Sequence, residues 1–180
     1  YFRKAFRKPV VAGGINLDYY AEETLSYPEI DYGVIGDALI SLPKLIRALE
    51  CGEPVDEIPG IIFKKEGLIR KTPVQNGKIN LEKFPFPARH LVPNEKYYSF
   101  ISQKKNFTIM LSSRGCPFEC VFCAMANSGY QARSAKNVVD EIEQCYRNFG
   151  IKEIDFFDPV MGLDKQRTLE ICREIQNRNI

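Results

Sequence analysis

The sequence lacks several features that would point to particular classes of protein. Its 25 Lys and Arg against 23 Asp and Glu give a net charge of only +2, so it has no large basic excess of the kind that drives nucleic-acid binding. It has no apolar run of the roughly 18 residues that a membrane span needs, and no apolar stretch follows its basic N-terminus as in a secretory signal. Repeats and low-complexity tracts are also missing. With 44% hydrophobic residues, the composition is that of a globular protein.

Disulfide-rich architecture is not indicated either. Three of the six cysteines fall between positions 116 and 123, and the others lie in helical patterns. Small secreted scaffolds instead spread their cysteines through a chain with many loops and little core. We therefore expect a reducing, cytoplasmic setting.

The first part of the chain alternates short apolar runs with helical patterns. Apolar runs at 9–14 and 32–36 end in glycine, as buried parallel strands do where the backbone turns tightly. Helical patterns over 18–26 and 38–49 follow them, with Asp18 as the candidate cap of the first helix. Apolar segments around Gly67 then predict a hairpin. This order predicts a parallel sheet with crossover helices.

The second part of the chain repeats the alternation after a proline-rich interval. Residues 72–93 hold four prolines and little periodicity, which predicts an extended linker between domains. Strands are predicted at 107–111 and 154–157, with a helix over 136–149 between them. A last helix is predicted to start after Asp164. Because the chain begins at Tyr1 and ends directly after this helical pattern, we expect a piece of a longer protein.

Cys116, Cys120 and Cys123 form a CxxxCxxC motif in the loop directly after the predicted strand at 107–111. Three thiolates this close in sequence converge on one soft metal centre or stay free. A 4Fe–4S cluster held by three thiolates leaves one iron open to a small molecule. The sequence alone leaves free thiols and metal binding open as alternatives.

Two further metal sites also remain open. A structural zinc site needs a fourth ligand, and the single histidine, His90, lies 26 residues before the motif. Cys145 or Cys172 would have to close such a site. An electron-transfer iron–sulfur site would likewise want a fourth cysteine.

The motif and its surroundings resemble the signature of the radical S-adenosylmethionine (SAM) enzymes. The resemblance rests on the RGCPF sequence at 114–118 and on the aromatic Phe122 before the last cysteine. One branch of this family joins an N-terminal cobalamin-binding domain to a radical barrel. Segments that resemble landmarks of this branch are PVVAGG at 9–14, DYGVIG at 31–36, FPFPAR at 84–89, and the stretch from Arg133 to Ile142.

The resemblance covers nearly the whole chain and implies an α/β architecture in three parts. Residues 1–74 would be the C-terminal part of a Rossmann-like (flavodoxin-like) parallel-sheet domain of the cobalamin-binding type. Residues 75–104 would be the Pro-rich linker. Residues 105–180 would form the first βα units of a partial (β/α) barrel, and the chain on its own is expected to be inactive.

The resemblance also implies roles for residues of the second part. Cys116, Cys120 and Cys123 would hold a 4Fe–4S cluster that reductively cleaves SAM to a 5′-deoxyadenosyl radical. Phe122 would face the adenine of SAM, and Asp158 would contact its amino group. Plain core packing of Phe122 and a strand-end turn at Asp158 are the alternatives.

Cobalamin is the second cofactor that the resemblance implies. Gly13, Gly14 and Gly36 would approach its nucleotide tail, although tight turns explain these glycines equally well. Asn16 and Asp37 depart from residues that are usual in the family. Methyl transfer to an unactivated centre of a small molecule is the commonest reaction of the branch. A flavodoxin or ferredoxin would supply electrons, and no nucleic-acid partner is indicated.

Overall fold

The structure, a computed structural model, describes residues 5–74 and 79–180. The chain divides into two compact units, Tyr1–Gly77 and Lys78–Ile180. The boundaries of the three predicted parts, at 74 and 104, stay predictions. Within the described residues, no helix is both long enough and apolar enough to cross a membrane.

The first unit contains a parallel strand pair. β1 (Val11–Ala12) pairs with β2 (Tyr32–Val34), and helix α1 (Ile15–Ser26) connects them. Helix α2 (Ala38–Cys51) follows β2 and buries Leu45 and Ala48 against the sheet. The predicted parallel sheet with crossover helices is thus confirmed for this part of the unit.

A hairpin completes the sheet of the first unit, whose strand order is β1-β2-β3-β4. β3 (Ile61–Lys65) runs antiparallel to β2, and β4 (Leu68–Lys71) runs antiparallel to β3. Glu66 and Gly67 form the turn, both with positive φ (54° and 75°), as a two-residue hairpin turn requires. The hairpin prediction is confirmed, and the sheet as a whole is mixed.

Helix α1 begins earlier than the sequence predicted. Gly14 occupies the cap position, so Asp18 lies inside the first turn and the prediction that it caps the helix is wrong. Its carboxylate instead accepts a hydrogen bond from the backbone N–H of Gly36 at 2.7 Å. Asp18 therefore ties the start of α1 to the turn that follows β2.

The second unit is built on another parallel pair. β5 (Phe107–Met110) pairs in parallel with β8 (Glu153–Phe156), and helix α3 (Ala135–Phe149) lies between them in sequence. Helix α4 (Lys165–Arg178) follows, capped by Asp164 as predicted. The core of the unit is apolar and includes Met110, Val138, Val139, Cys145, Ile151 and Ile171. The α/β fold class is confirmed.

The start of the second unit falls in the segment predicted to be a linker. It contains short 3₁₀ helices at Leu81–Lys83, Arg89–Leu91 and Asn94–Lys96. The backbone N–H of Ile79 donates to the side chain of Gln131 at 2.8 Å. The Glu82 carboxylate accepts from the backbone N–H of Ser134, and this bond lowers the Glu82 pKa. These described residues are therefore anchored to the second unit.

Candidate functional site

The three clustered cysteines lie in a loop closed at its base by two short strands. β6 (Ser113–Arg114) pairs antiparallel with β7 (Gln131–Ala132). The residues between them, 115–130, are called the cysteine loop below. The loop leaves the sheet just beyond the carboxyl end of β5, the edge at which α/β folds place their ligands.

Hydrogen bonds within the cysteine loop join its two ends. The N–H of Cys116 donates to Ser128 Oγ at 3.0 Å, and the N–H of Ser128 donates to the carbonyl of Cys116 at 3.1 Å. Further in, the N–H of Asn127 donates to the carbonyl of Phe118 at 2.8 Å. The loop thus has a defined internal structure.

The three thiols of the loop are free, with Cys116 half-buried and Cys120 and Cys123 exposed. In the ranges 5–74 and 79–180, no group of three His, Cys, Asp or Glu side chains is arranged to hold a metal ion. The thiols therefore share one loop without converging on one point. The donor set nevertheless fits a 4Fe–4S cluster with one open iron, because three unpaired soft ligands outside the core are available in a single loop.

Cys145 is a poor candidate for a fourth ligand. Cys145 is fully buried in the core of the second unit, and burial raises the pKa of its thiol to about 11. Only a thiolate is a good metal ligand, and the raised pKa keeps this thiol protonated, which disfavours metal binding by Cys145. Cys172 is exposed on α4, and Cys51 ends α2 in the first unit.

Phe122 projects from the cysteine loop with 89% of its surface exposed. Core packing, the plain alternative for this residue, is excluded by that exposure. Phe118 in the same loop is half-exposed. The loop therefore presents aromatic surface beside its cysteines, and contact of Phe122 with an adenine stays a prediction.

Asp158 follows β8, and its side chain is fully enclosed. Its carboxylate accepts hydrogen bonds from the backbone N–H of Ser112 and the hydroxyl of Ser113, both at 2.6 Å, and from the hydroxyl of Ser112. Asp158 thus joins the carboxyl end of β8 to the chain that enters the cysteine loop. Its predicted contact with SAM is not tested by these bonds.

Two buried arginines meet one buried glutamate beside this site. Arg89 Nη1 lies 2.7 Å from Glu141 Oε1, and Arg133 Nη1 pairs with Glu141 Oε2. Arg133 also donates to the carbonyl of Leu111 at 3.0 Å and lies over the ring of Phe86 at 5.4 Å. Through this ion triad, Arg89 of the proline-rich segment and Arg133, which follows the cysteine loop, are both attached to α3.

Sequence reasoning missed the triad, although one signal was present. Glu141 lies on the buried face of α3, between Val138 and Cys145. A charged residue on an apolar helix face usually has a buried partner of opposite charge. The identity of that partner could not be inferred, since Arg89 lies 52 residues away in sequence.

Gly13, Gly14 and Gly36 lie at the carboxyl ends of the parallel strands β1 and β2. Gly14 and Gly36 have positive φ, 97° and 75°. A Cβ atom on Gly14 would meet nothing within 4 Å, and one on Gly13 would be 4.0 Å from the Val34 carbonyl. The structure brings these turns together through Asp18, and cobalamin contact stays a prediction.

The chain is similar to known proteins in both sequence and fold. No protein-family model matches the chain. The chain is 31% identical over 175 residues to an uncharacterized methyltransferase, PH0819, of Pyrococcus horikoshii, covering 95% of this chain and 38% of that protein. It is 28% identical over 174 residues to the anaerobic magnesium-protoporphyrin IX monomethyl ester cyclase of Synechocystis sp., covering 95% and 34%.

The fold is similar to that of TsrM from Kitasatospora setae, a radical SAM methyltransferase solved with its tryptophan substrate and a SAM analogue. The TM-score is 0.69 at 25% identity, covering 98% of this chain and 34% of TsrM. Another structure of TsrM contains cobalamin and a 4Fe–4S cluster. The chain spans little more than a third of the length of these proteins.

These findings confirm the resemblance to the radical SAM enzymes. More specifically, the chain is a relative of the branch that combines radical SAM chemistry with cobalamin.

Proposed function

We propose that the protein is a radical SAM enzyme in which Cys116, Cys120 and Cys123 bind a 4Fe–4S cluster. The observation that carries this proposal is the position of three free thiols in one self-bonded loop just beyond β5. The 4Fe–4S cluster of the related TsrM supports it. Three protein ligands leave one iron open, and this iron would bind SAM.

When bound, the cluster supplies the electron that cleaves SAM to a 5′-deoxyadenosyl radical. The residues of this chain bind and orient the groups around it. Phe122 offers an exposed aromatic face to the adenine and excludes water there. Asp158 uses three of the roughly four acceptor positions of a carboxylate on Ser112 and Ser113. Because its side chain is fully enclosed, Asp158 acts by holding the chain that enters the cysteine loop, and its contact with the amino group of SAM stays a prediction.

We infer methyl transfer to a small molecule as the reaction. Its support is the naming of PH0819 and TsrM as methyltransferases and the tryptophan substrate of TsrM. The related cyclase is named for a different substrate, magnesium-protoporphyrin IX monomethyl ester. The substrate of this protein therefore does not follow from its relatives. A flavodoxin or ferredoxin in a reducing cytoplasm would supply the electrons.

Cobalamin is proposed as the second cofactor, bound at the glycine turns of the first unit. Gly13 and Gly14 follow β1, Gly36 follows β2, and Asp18 holds the two turns together. Ligands of open α/β sheets bind at the carboxyl ends of the strands. The open space beside Gly14 leaves room for a ligand to approach the backbone.

Anaerobic reconstitution of the full-length protein with iron and sulfide tests the proposal. A radical SAM site should take up about four irons per chain, turn brown, and give a paramagnetic spectrum that changes when SAM is added. Uptake of zinc in place of iron, or a cluster spectrum that SAM leaves unchanged, would contradict the proposed function.

A further inference from the structure

One buried guanidinium contacts both ends of the cysteine loop. Arg167 lies in the first turn of α4 and is 6% exposed. Its Nη1 donates to the Ser112 hydroxyl at 3.1 Å and carbonyl at 3.4 Å, before the loop, and to the carbonyl of Arg133 at 3.3 Å, after it. Its Nη2 donates to the Ser112 hydroxyl at 3.1 Å and to the Tyr130 hydroxyl at 3.4 Å.

Ser112, which Arg167 contacts before the cysteine loop, is also bound by Asp158. The Ser112 hydroxyl donates to Asp158 and accepts from Arg167, so it links the carboxylate to the guanidinium. Arg167 Nη2 lies 4.0 Å from Asp158 Oδ2, and both side chains are almost fully enclosed. Ser112, Asp158 and Arg167 are called the loop clamp below.

The loop clamp reinforces a short strand pairing at the base of the cysteine loop. The short strands β6 and β7 supply a two-residue pairing at the base, which is a weak closure for a loop of this length. Arg167 on α4 adds contacts to the chain on both sides of this pairing. Its planar guanidinium restricts the direction of these hydrogen bonds as well as their length. The guanidinium therefore fixes how β6 and β7 are placed at the base of the cysteine loop.

We propose that Arg167 is a positioning residue for the cluster. It acts through Ser112, Tyr130 and the Arg133 carbonyl, which it holds in one arrangement. Cys116 lies four residues after Ser112, so the same contacts limit where its thiolate stands. This inference rests on the proposed function, because it concerns the loop in which the three cysteines bind the cluster.

The test compares Arg167→Gln with Arg178→Gln in the full-length protein after anaerobic reconstitution. Arg178 lies on the same helix but pairs with Asp140, Glu143 and Glu174 away from the loop. We expect bathophenanthroline to remove iron about ten-fold faster from Arg167→Gln than from wild type. Its reduced cluster should also give a broader paramagnetic spectrum with SAM. Arg178→Gln should match wild type in both readouts.

Ser112→Ala provides a second variant in case Arg167→Gln fails to fold. It removes the hydroxyl that joins Arg167 to Asp158 but leaves both charges in place. Faster iron removal is expected here too, with the far-UV circular dichroism of wild type. A folded Arg167→Gln, or failing that a folded Ser112→Ala, with wild-type iron release and spectrum would overturn the role of Arg167. A wild-type protein that takes up no cluster would instead refute the proposed function.

Discussion

Gly115 and Gly129 cross so closely that a Cβ atom on Gly115 would overlap the backbone carbonyl of Gly129. Gly115 also has a φ of 74°, which side chains rarely tolerate. The crossing lies at the base of the cysteine loop, one residue before Cys116. The closed form of the loop thus depends on the missing side chain of Gly115.

Gly115→Ala should therefore prevent cluster assembly, whereas Gly129→Ala should not. Gly129 has a similar φ of 72°, but a Cβ atom there meets nothing within 4 Å. Alanine at 129 thus costs only the left-handed strain of about 1–2 kcal/mol. Iron content after reconstitution measures the difference. Equal iron content in the two variants would show that the crossing has no role in cluster binding.

Replacing Cys116, Cys120 or Cys123 by Ala should abolish the cluster, since two thiolates are left to hold it. Cys172→Ala and Cys51→Ala are controls, because both thiols are exposed and lie outside the loop. Iron analysis and the absorbance of the brown protein give the result. Full iron content in any of the three loop variants would remove that cysteine from the ligand set.

Glu141→Gln should destabilise the second unit strongly. The substitution leaves Arg89 and Arg133 buried without their shared carboxylate, and breaking a buried ion pair costs about 3–5 kcal/mol. Glu143→Gln on the same helix is the control, since its partners Arg147 and Arg178 are more exposed. Chemical denaturation compares the two variants, and equal unfolding midpoints would contradict the prediction.

The surface network around Arg178 should contribute stability that depends on pH. Hydrogen bonds from Lys136 and then Arg178 lower the pKa of Asp140, and bonds from Arg147 and then Arg178 lower that of Glu143. A carboxyl whose pKa is lower in the folded state stabilises the protein above its unfolded pKa. That stability disappears as the pH falls through the folded pKa.

Arg178→Gln should accordingly lower the melting temperature by roughly 1–4 °C at pH 7. The difference from wild type should shrink as the pH falls below the ordinary carboxyl pKa values of 3.8 and 4.5. Thermal melts from pH 7 to pH 3 measure it. A difference that stays constant over this range would show that the carboxylates are not involved.

Gly13→Ala tests cobalamin binding without disturbing the fold. Gly13 has no positive φ, and the added Cβ would be 4.0 Å from the nearest atom, so the melting temperature should stay near that of wild type. Hydroxocobalamin should bind more weakly if its nucleotide tail lies against this backbone. Gly14→Val is less suitable because its φ of 97° strains any side chain. Unchanged affinity in Gly13→Ala would leave Gly13 as a turn residue only.

The sequence predicted features that depend on neighbours along the chain. The β/α alternation, the Glu66–Gly67 turn and the Asp164 cap each follow from a few adjacent residues. The contacts of Arg167 with Ser112 join residues 55 positions apart, and no local pattern specifies such a pair. The Asp18 prediction failed because α1 begins at Ile15. The contact of Asp18 with Gly36, 18 residues away, is likewise specified by no local pattern.

The outer strand of the hairpin bears on how the protein behaves when concentrated. β4 lies at one edge of the first sheet in the described part of the chain, and all of its residues are exposed. Unpaired strand edges recruit strands of other molecules, and positive charge opposes this by repulsion between like edges. Arg70 and Lys71 on β4 supply that charge. This edge is thereby protected against growth into intermolecular sheets.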